Sequence, residues 1–186
     1  MKTSTISTLF FVAILFSSCF GPDVRFVGAQ PESLEELTSI PEKFQGTFVI
    51  HKDTIEVTGR TISGDTINSK TLVVKGWGNY LFVNSLENGV YKLGCAKVVN
   101  AWNYEELSLE YFVLADDLLS NPPDEFSKQE REKFWKEEID KMIADKDNPL
   151  IFVDTTNGYF TLDNVSINQF QSLLNNAKSE KVTRIK

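Results

Sequence analysis

One histidine and two cysteines in 186 residues leave too few soft ligands for a zinc or iron–sulfur site and too few thiols for a disulfide framework. Most cofactor chemistry is thereby disfavoured, and neither a cofactor nor a metal is expected. Basic side chains are also in short supply. Nineteen against 26 acidic ones give a formal net charge of −7, the wrong balance for a surface that neutralises phosphates, so nucleic acid is not an expected partner. The apolar run at residues 9–16 (LFFVAILF) is too short for a permanent span, because it rises only about 12 Å as a helix against a hydrocarbon core of roughly 30 Å. The rest of the composition, 41% hydrophobic and 24% charged, is that of one ordinary globular domain.

The N-terminus carries Lys2, a polar stretch to Thr8, the apolar run, and then Ser17, Ser18 and Cys19. That order is an export signal. Phe16-Ser17-Ser18-Cys19 resembles a bacterial lipobox, in which small residues admit the lipoprotein signal peptidase and the cysteine takes the lipid. Phe16 stands where leucine is usual, with Leu15 one place earlier. The expectation is a signal peptide over 1–18 and lipidation at Cys19, which makes the membrane the first partner. Each buried methylene contributes about 0.8 kcal/mol, so two or three acyl chains hold the protein stably. Phe20 is not the aspartate that commonly marks inner-membrane retention, and only Asp23 stands where surface-exposed lipoproteins carry an acidic run. Resemblance to bacterial lipoproteins thus implies the outer membrane and favours its periplasmic face. A competing cut site, Val27-Gly28-Ala29 before Gln30, would release a soluble chain without Cys19. Against it, Asp23 and Arg25 would fall in an unusually long region after the apolar run.

Residues 19–40 contain Gly21, Pro22, Gly28 and Pro31 with no sustained hydrophobic period, so they read as the lipidated cysteine and a flexible tether. A single β-rich domain is expected over 41–186. Strands are expected at 44–51, 54–58, 61–67, 71–77, 80–87, 90–100 and 105–113, from short runs of Val, Ile, Thr, Phe and Tyr between turn residues. Gly78-Asn79 suits a type II′ turn, and Asn88-Gly89 is the strongest short hairpin signal, so the strands flanking both turns form a meander. Ser127 with Glu130 and Ser166 with Gln169 are capping boxes that open helices at about 128–145 and 166–177. Asn157-Gly158 marks another hairpin between the helices, and the charged tail 178–186 reads as frayed. The fold class is α+β, mainly β: an antiparallel meander forming a sandwich or small barrel, with two C-terminal amphipathic helices.

The stretches FQGTFVIHKDTIEVTGRTI and TLVVKGWGNYLFVN, a Val-Tyr-Lys-Leu strand, and Leu-Asp-Asn-x-Ser-x-x-Gln-Phe opening a helix together resemble the small uncharacterised lipoproteins of Bacteroidota. The likeness spans residues 41–177 as a pattern of strands and turns. It implies a lipobox and a β-rich fold and brings no activity with it.

No constellation for catalysis emerges from the remaining residues, and no enzyme is expected. His51 lies where a strand meets a turn, there is no Gly-x-Ser-x-Gly elbow for it to serve, and it reads as a surface residue. Cys95 shares a strand face with Tyr91, Leu93 and Val99 and reads as a small core residue. The acidic pairs Asp116-Asp117 and Asp124-Glu125, and the set Asp145, Asp147 and Asp154, lack the order of a calcium loop. The aromatics Trp77, Tyr80, Phe82, Tyr91 and Trp102 cluster on or beside the meander, where most serve packing. Trp77, Tyr80 and Trp102 are the candidate binding residues. Two functional readings follow: a lipid-anchored, non-enzymatic envelope protein that binds a protein partner or serves as an accessory subunit, and a lipocalin-like carrier of a small apolar ligand. The second takes support from Gly46-Thr47-Phe48, which resembles the Gly-x-Trp of lipocalins.

Overall fold

The computed structural model describes residues 23–50, 53–99, 108–113, 122–123, 125–144, 151–154, 159–163, 165–176 and 178–185. Cys19, His51, Trp102, Asp116, Asp117, Asp124, Asp145, Asp147 and the Asn157-Gly158 turn lie outside the described residues. The centre of the fold is the expected meander of β6 (Leu72–Trp77), β7 (Tyr80–Glu87) and β8 (Val90–Val98). Its turns have the backbone their residues favour. Gly78 takes φ +57 between β6 and β7, while Asn88 at φ +53 and Gly89 at φ +86 supply the paired positive values of a tight hairpin between β7 and β8.

The far edge of β8 is shared by two strands. Near its start it pairs antiparallel with β1 (Asp23–Phe26), through Arg25 opposite Lys92 and Phe26 opposite Tyr91; from Cys95 onward it pairs with β9 (Ser108–Val113). The ladder therefore forks. One branch continues from β1 to β11 (Tyr159–Asp163) in parallel and on to β10 (Ile151–Asp154). The other runs from β9 to β12 (Lys178–Arg184), β2 (Gly46–Ile50), β3 (Asp53–Val57), β4 (Thr61–Ile62) and β5 (Asp65–Thr66).

Because side chains alternate across a strand, the meander buries both faces. Leu72, Val74, Leu81 and Val98 join Ile40, Phe44, Phe48, Ile55, Val57, Ile62, Ile67 and Val182 in one core, enclosed as the second branch curls over. Phe82, Leu93 and Cys95 join Val24, Phe26, Leu162, Val165, Phe170 and Leu174 in the other. The second core is covered by helix α2 (Ile167–Asn176), whose start is fixed by the expected capping box: the Ser166 N–H donates to Gln169 Oε1 at 2.6 Å, and the Gln169 N–H donates back to Ser166 Oγ at 3.4 Å. Helix α1 (Lys128–Ala144) has the matching Ser127–Glu130 box and lays Trp135 against the same core. No helix among the described residues is long and apolar enough to cross a membrane.

The mainly β, α+β class thus stands, and four expectations need correction. First, the strand ladder is not a closed barrel: among the described strands β6 and β5 do not pair with each other and leave a gap, and β10 ends the other branch. The gap is crossed by an irregular strap, residues 36–40. The Leu37 N–H donates to the Val74 carbonyl at 2.8 Å on one side, and the Ile40 N–H to the Gly59 carbonyl at 2.8 Å on the other. Asn68 locks the strap by donating to the Leu37 carbonyl at 2.6 Å while accepting from the Val74 N–H at 3.1 Å. Second, the described part of the supposed tether is integral to the fold. β1 holds a place between β8 and β11, and Val24, Phe26, Gln30 and Ile40 are buried. Third, the supposedly frayed tail is β12, which pairs with both β9 and β2 and buries Val182. Backbone pairing suffices there, so the strand needs only one apolar residue. Fourth, the expected strand at 61–67 is broken into β4 and β5 by Ser63 at φ +50 and Gly64 at φ +90.

Candidate functional site

Register decides what the meander can present. Directly opposed residues share a face, so Trp77 sits with Tyr80, and Phe82 with Cys95 and Lys75. The rings stack outward in sequence: Phe170 meets Phe82 edge-on at 5.3 Å, Phe82 stacks on Tyr80 at 6.0 Å, and Tyr80 on Trp77 at 6.4 Å. Each such pair contributes about 0.5–1.5 kcal/mol beyond area burial. Lys97 Nζ stands 5.3 Å over the Tyr80 ring, and Lys43 Nζ donates to the Gly78 carbonyl at 2.6 Å and to Asn79 Oδ1 at 3.0 Å. The inner end of the stack is core, whereas Trp77 at the outer end is 45% exposed. The structure thus brings the candidates Trp77 and Tyr80 together on a rigid support; Trp102 lies outside the described residues.

Cys95 is buried opposite Phe82, and desolvation pushes its thiol well above the ordinary range, against a smaller opposing influence of Lys97. Its side chain is almost fully removed from solvent. That is the chemistry of a packing residue, since the thiolate is the nucleophile. No group of three or more His, Cys, Asp or Glu side chains among the described residues is placed to hold a metal ion.

Two polar features escaped the sequence reading. In the first, Asn84 and Lys75 clamp the chain that follows β1. The Gln30 N–H donates to Asn84 Oδ1 at 2.7 Å and Asn84 Nδ2 donates back to the Gln30 carbonyl at 2.8 Å, so the amide replaces a strand partner. Lys75 Nζ donates to the Ala29 and Pro31 carbonyls, each at 2.9 Å. Burial lowers the Lys75 pKa, and Glu36 and Glu32 oppose that shift. In the second, Ser85, Lys92, Arg25 and Thr161 are successive register partners across β7, β8, β1 and β11, and so form one polar row on a single face. Arg25 Nη1 lies 3.8 Å from Glu87. Ser85 is 6% exposed and Thr161 1%, and neither hydroxyl has a hydrogen-bond partner among the described residues. No local motif marks this row, because its members come together only through the fork in the ladder. The one available signal was the alternation of Val24 and Phe26, which over four residues is too short to mark a strand by itself.

Comparison with protein families, curated proteins and solved structures returned no match for this chain.

Proposed function

We propose that the chain is a lipid-anchored lipoprotein of the cell envelope, acylated at Cys19, held at the outer membrane on its periplasmic face, and acting without catalysis as a binding or accessory subunit. The observation that carries the reading is β1. Of the two candidate cut sites, the one after Ala29 would remove Val24 and Phe26 from the core and take away the strand that joins β11 to β8. The one before Cys19 keeps the whole sheet. Placing the cut there makes Cys19 the first residue, which is the residue the lipobox resemblance assigns to the acyl chains. Trp77, exposed at the outer end of its stack on Tyr80, supports a binding role. The carrier reading draws no such support from the described strands. Its barrel is open, and Phe48, its counterpart to the lipocalin tryptophan, is one of the side chains that fill the interior.

The test is Cys19→Ala in the native host, with cell fractionation and a labelled fatty acid. The wild-type protein is expected in the membrane fraction carrying label, and the variant is expected to lose both. A variant that stays in the membrane pellet, or a wild-type protein that takes up no label, contradicts the proposal.

A further inference from the structure

The competing cut site, between Ala29 and Gln30, lies in the stretch of chain that Asn84 and Lys75 clamp. A peptidase that hydrolyses this bond needs both of its polar atoms. The carbonyl oxygen must turn to the donors of an oxyanion hole, and the nitrogen must be reached by the acid that protonates the leaving amine. In the fold both atoms are already engaged. The Ala29 carbonyl accepts from Lys75 Nζ at 2.9 Å, and the Gln30 N–H donates to Asn84 Oδ1 at 2.7 Å.

The flanking backbone is held as well. Upstream, the Val27 N–H donates to the Leu162 carbonyl at 3.0 Å, which carries the pairing of β1 with β11 one residue further, and the Gly28 carbonyl accepts from Gln30 Nε2 at 3.2 Å. Downstream, the Gln30 carbonyl accepts from Asn84 Nδ2 at 2.8 Å and the Pro31 carbonyl from Lys75 Nζ at 2.9 Å. Gln30 is wholly buried, and Pro31 is buried beside it. A peptide that lies extended along an enzyme's edge uses these same backbone groups. The two clamping side chains stand on one face of the meander, Lys75 on β6 opposite Phe82 and Asn84 two residues further along β7. They are 46 and 54 positions from the residues they hold, so the clamp forms only once β6 and β7 have paired against the incoming chain.

We infer that folding locks the Ala29–Gln30 bond against the ordinary signal peptidase, with Lys75 and Asn84 as the residues that close it, so that this site is open only in the unfolded chain. The inference rests on the reading that processing occurs before Cys19, since only then does the folded domain still carry this bond. Its consequence is a single stable product. Cut before folding, the chain loses β1 with Val24 and Phe26; once folded, it is not cut there. Cleavage of the folded protein requires a local opening that frees the clamp, and its rate follows the population of that open form.

The experiment uses the full chain, residues 1–186, made by cell-free synthesis in detergent micelles, with purified signal peptidase added either during synthesis or after folding is complete by circular dichroism. The product beginning at Gln30 is followed by mass. The wild type is expected to be cut when the enzyme is present during synthesis, and at least about tenfold more slowly once folded. Lys75→Met and Asn84→Ala are each expected to speed cleavage of the folded chain by about tenfold or more, because each frees backbone groups at the bond. Val182→Ala, which weakens the other core without touching the clamp, is expected to leave the rate near that of the wild type. A folded wild type cut as fast as the nascent chain, or a nascent chain not cut after Ala29, overturns the inference. So do clamp variants that stay at the wild-type rate, or a Val182→Ala chain that gains as much as they do. The readout does not involve acylation, so its failure is distinct from that of the Cys19→Ala test.

Discussion

Starting the chain at Gln30, as cleavage after Ala29 would do, removes a strand from between two others. Phe26 is fully buried and Val24 nearly so, and burying each contributes about 1.5–3 kcal/mol. Lys75 loses the Ala29 carbonyl as an acceptor, and an unmet buried donor costs about 1–3 kcal/mol. Among the described strands, the β10–β11 hairpin is joined to the rest of the sheet only through β1. These losses reach roughly 4–9 kcal/mol, comparable with the whole stability of a typical domain, about 5–15 kcal/mol. Urea unfolding followed by circular dichroism should be run on two soluble chains, one starting at Phe20 and one at Gln30, with Phe26→Ala in the longer chain as the point control. The longer chain is expected to unfold cooperatively, Phe26→Ala to lose about 3–5 kcal/mol, and the shorter chain to show no stable native baseline. A Gln30 chain that unfolds cooperatively within about 1 kcal/mol of the longer one would refute the reasoning.

Three further outcomes follow from single side chains. Asn84→Ala leaves the Gln30 N–H and carbonyl without their amide partner and is expected to cost about 2–4 kcal/mol in urea unfolding; a loss under about 0.5 kcal/mol would mean the clamp is not formed. Ser85→Ala and Thr161→Val each remove a buried hydroxyl without a partner among the described residues, so they are expected to be neutral or stabilising, and a loss above about 1 kcal/mol in either would contradict this. Cys95 makes stability depend on alkaline pH. Its folded pKa is raised, so both states keep the proton below the ordinary thiol value of 9.0, and above it only the unfolded state releases the proton. Its contribution is then full below about pH 9 and falls by about 1.4 kcal/mol per pH unit above it. Cys95→Ala should lack this component, and parallel stability curves for the two proteins from pH 8 to about pH 10.5 would contradict it.

The elements legible in the sequence are those whose information is local. Gly78-Asn79 and Asn88-Gly89 demand particular backbone angles, and the strands beside them alternate, so β6, β7 and β8 fall where the pattern places them. The helix starts are equally local, since each capping box joins residues three apart. β1 and β12 were hidden for a different reason. The four residues of β1 sit between glycines and prolines that suggest a loop, and β12 (KSEKVTR) has a single apolar residue, so neither shows a sustained period. Their stability comes from pairing on both edges, which no window of sequence displays. The candidate site divides in the same way. Trp77 and Tyr80 flank one turn and were visible, while the row from Ser85 to Thr161 depends on a parallel pairing between residues more than 130 positions apart. The strap at 36–40 closes the gap with backbone bonds to Val74 and Gly59, and such bonds leave no mark on side-chain composition.

The most direct test of the central claim is the intact mass of the mature protein taken from its own membrane. A chain beginning at Cys19 and carrying acyl groups is the expected result; an unacylated chain beginning at Gln30 would contradict it.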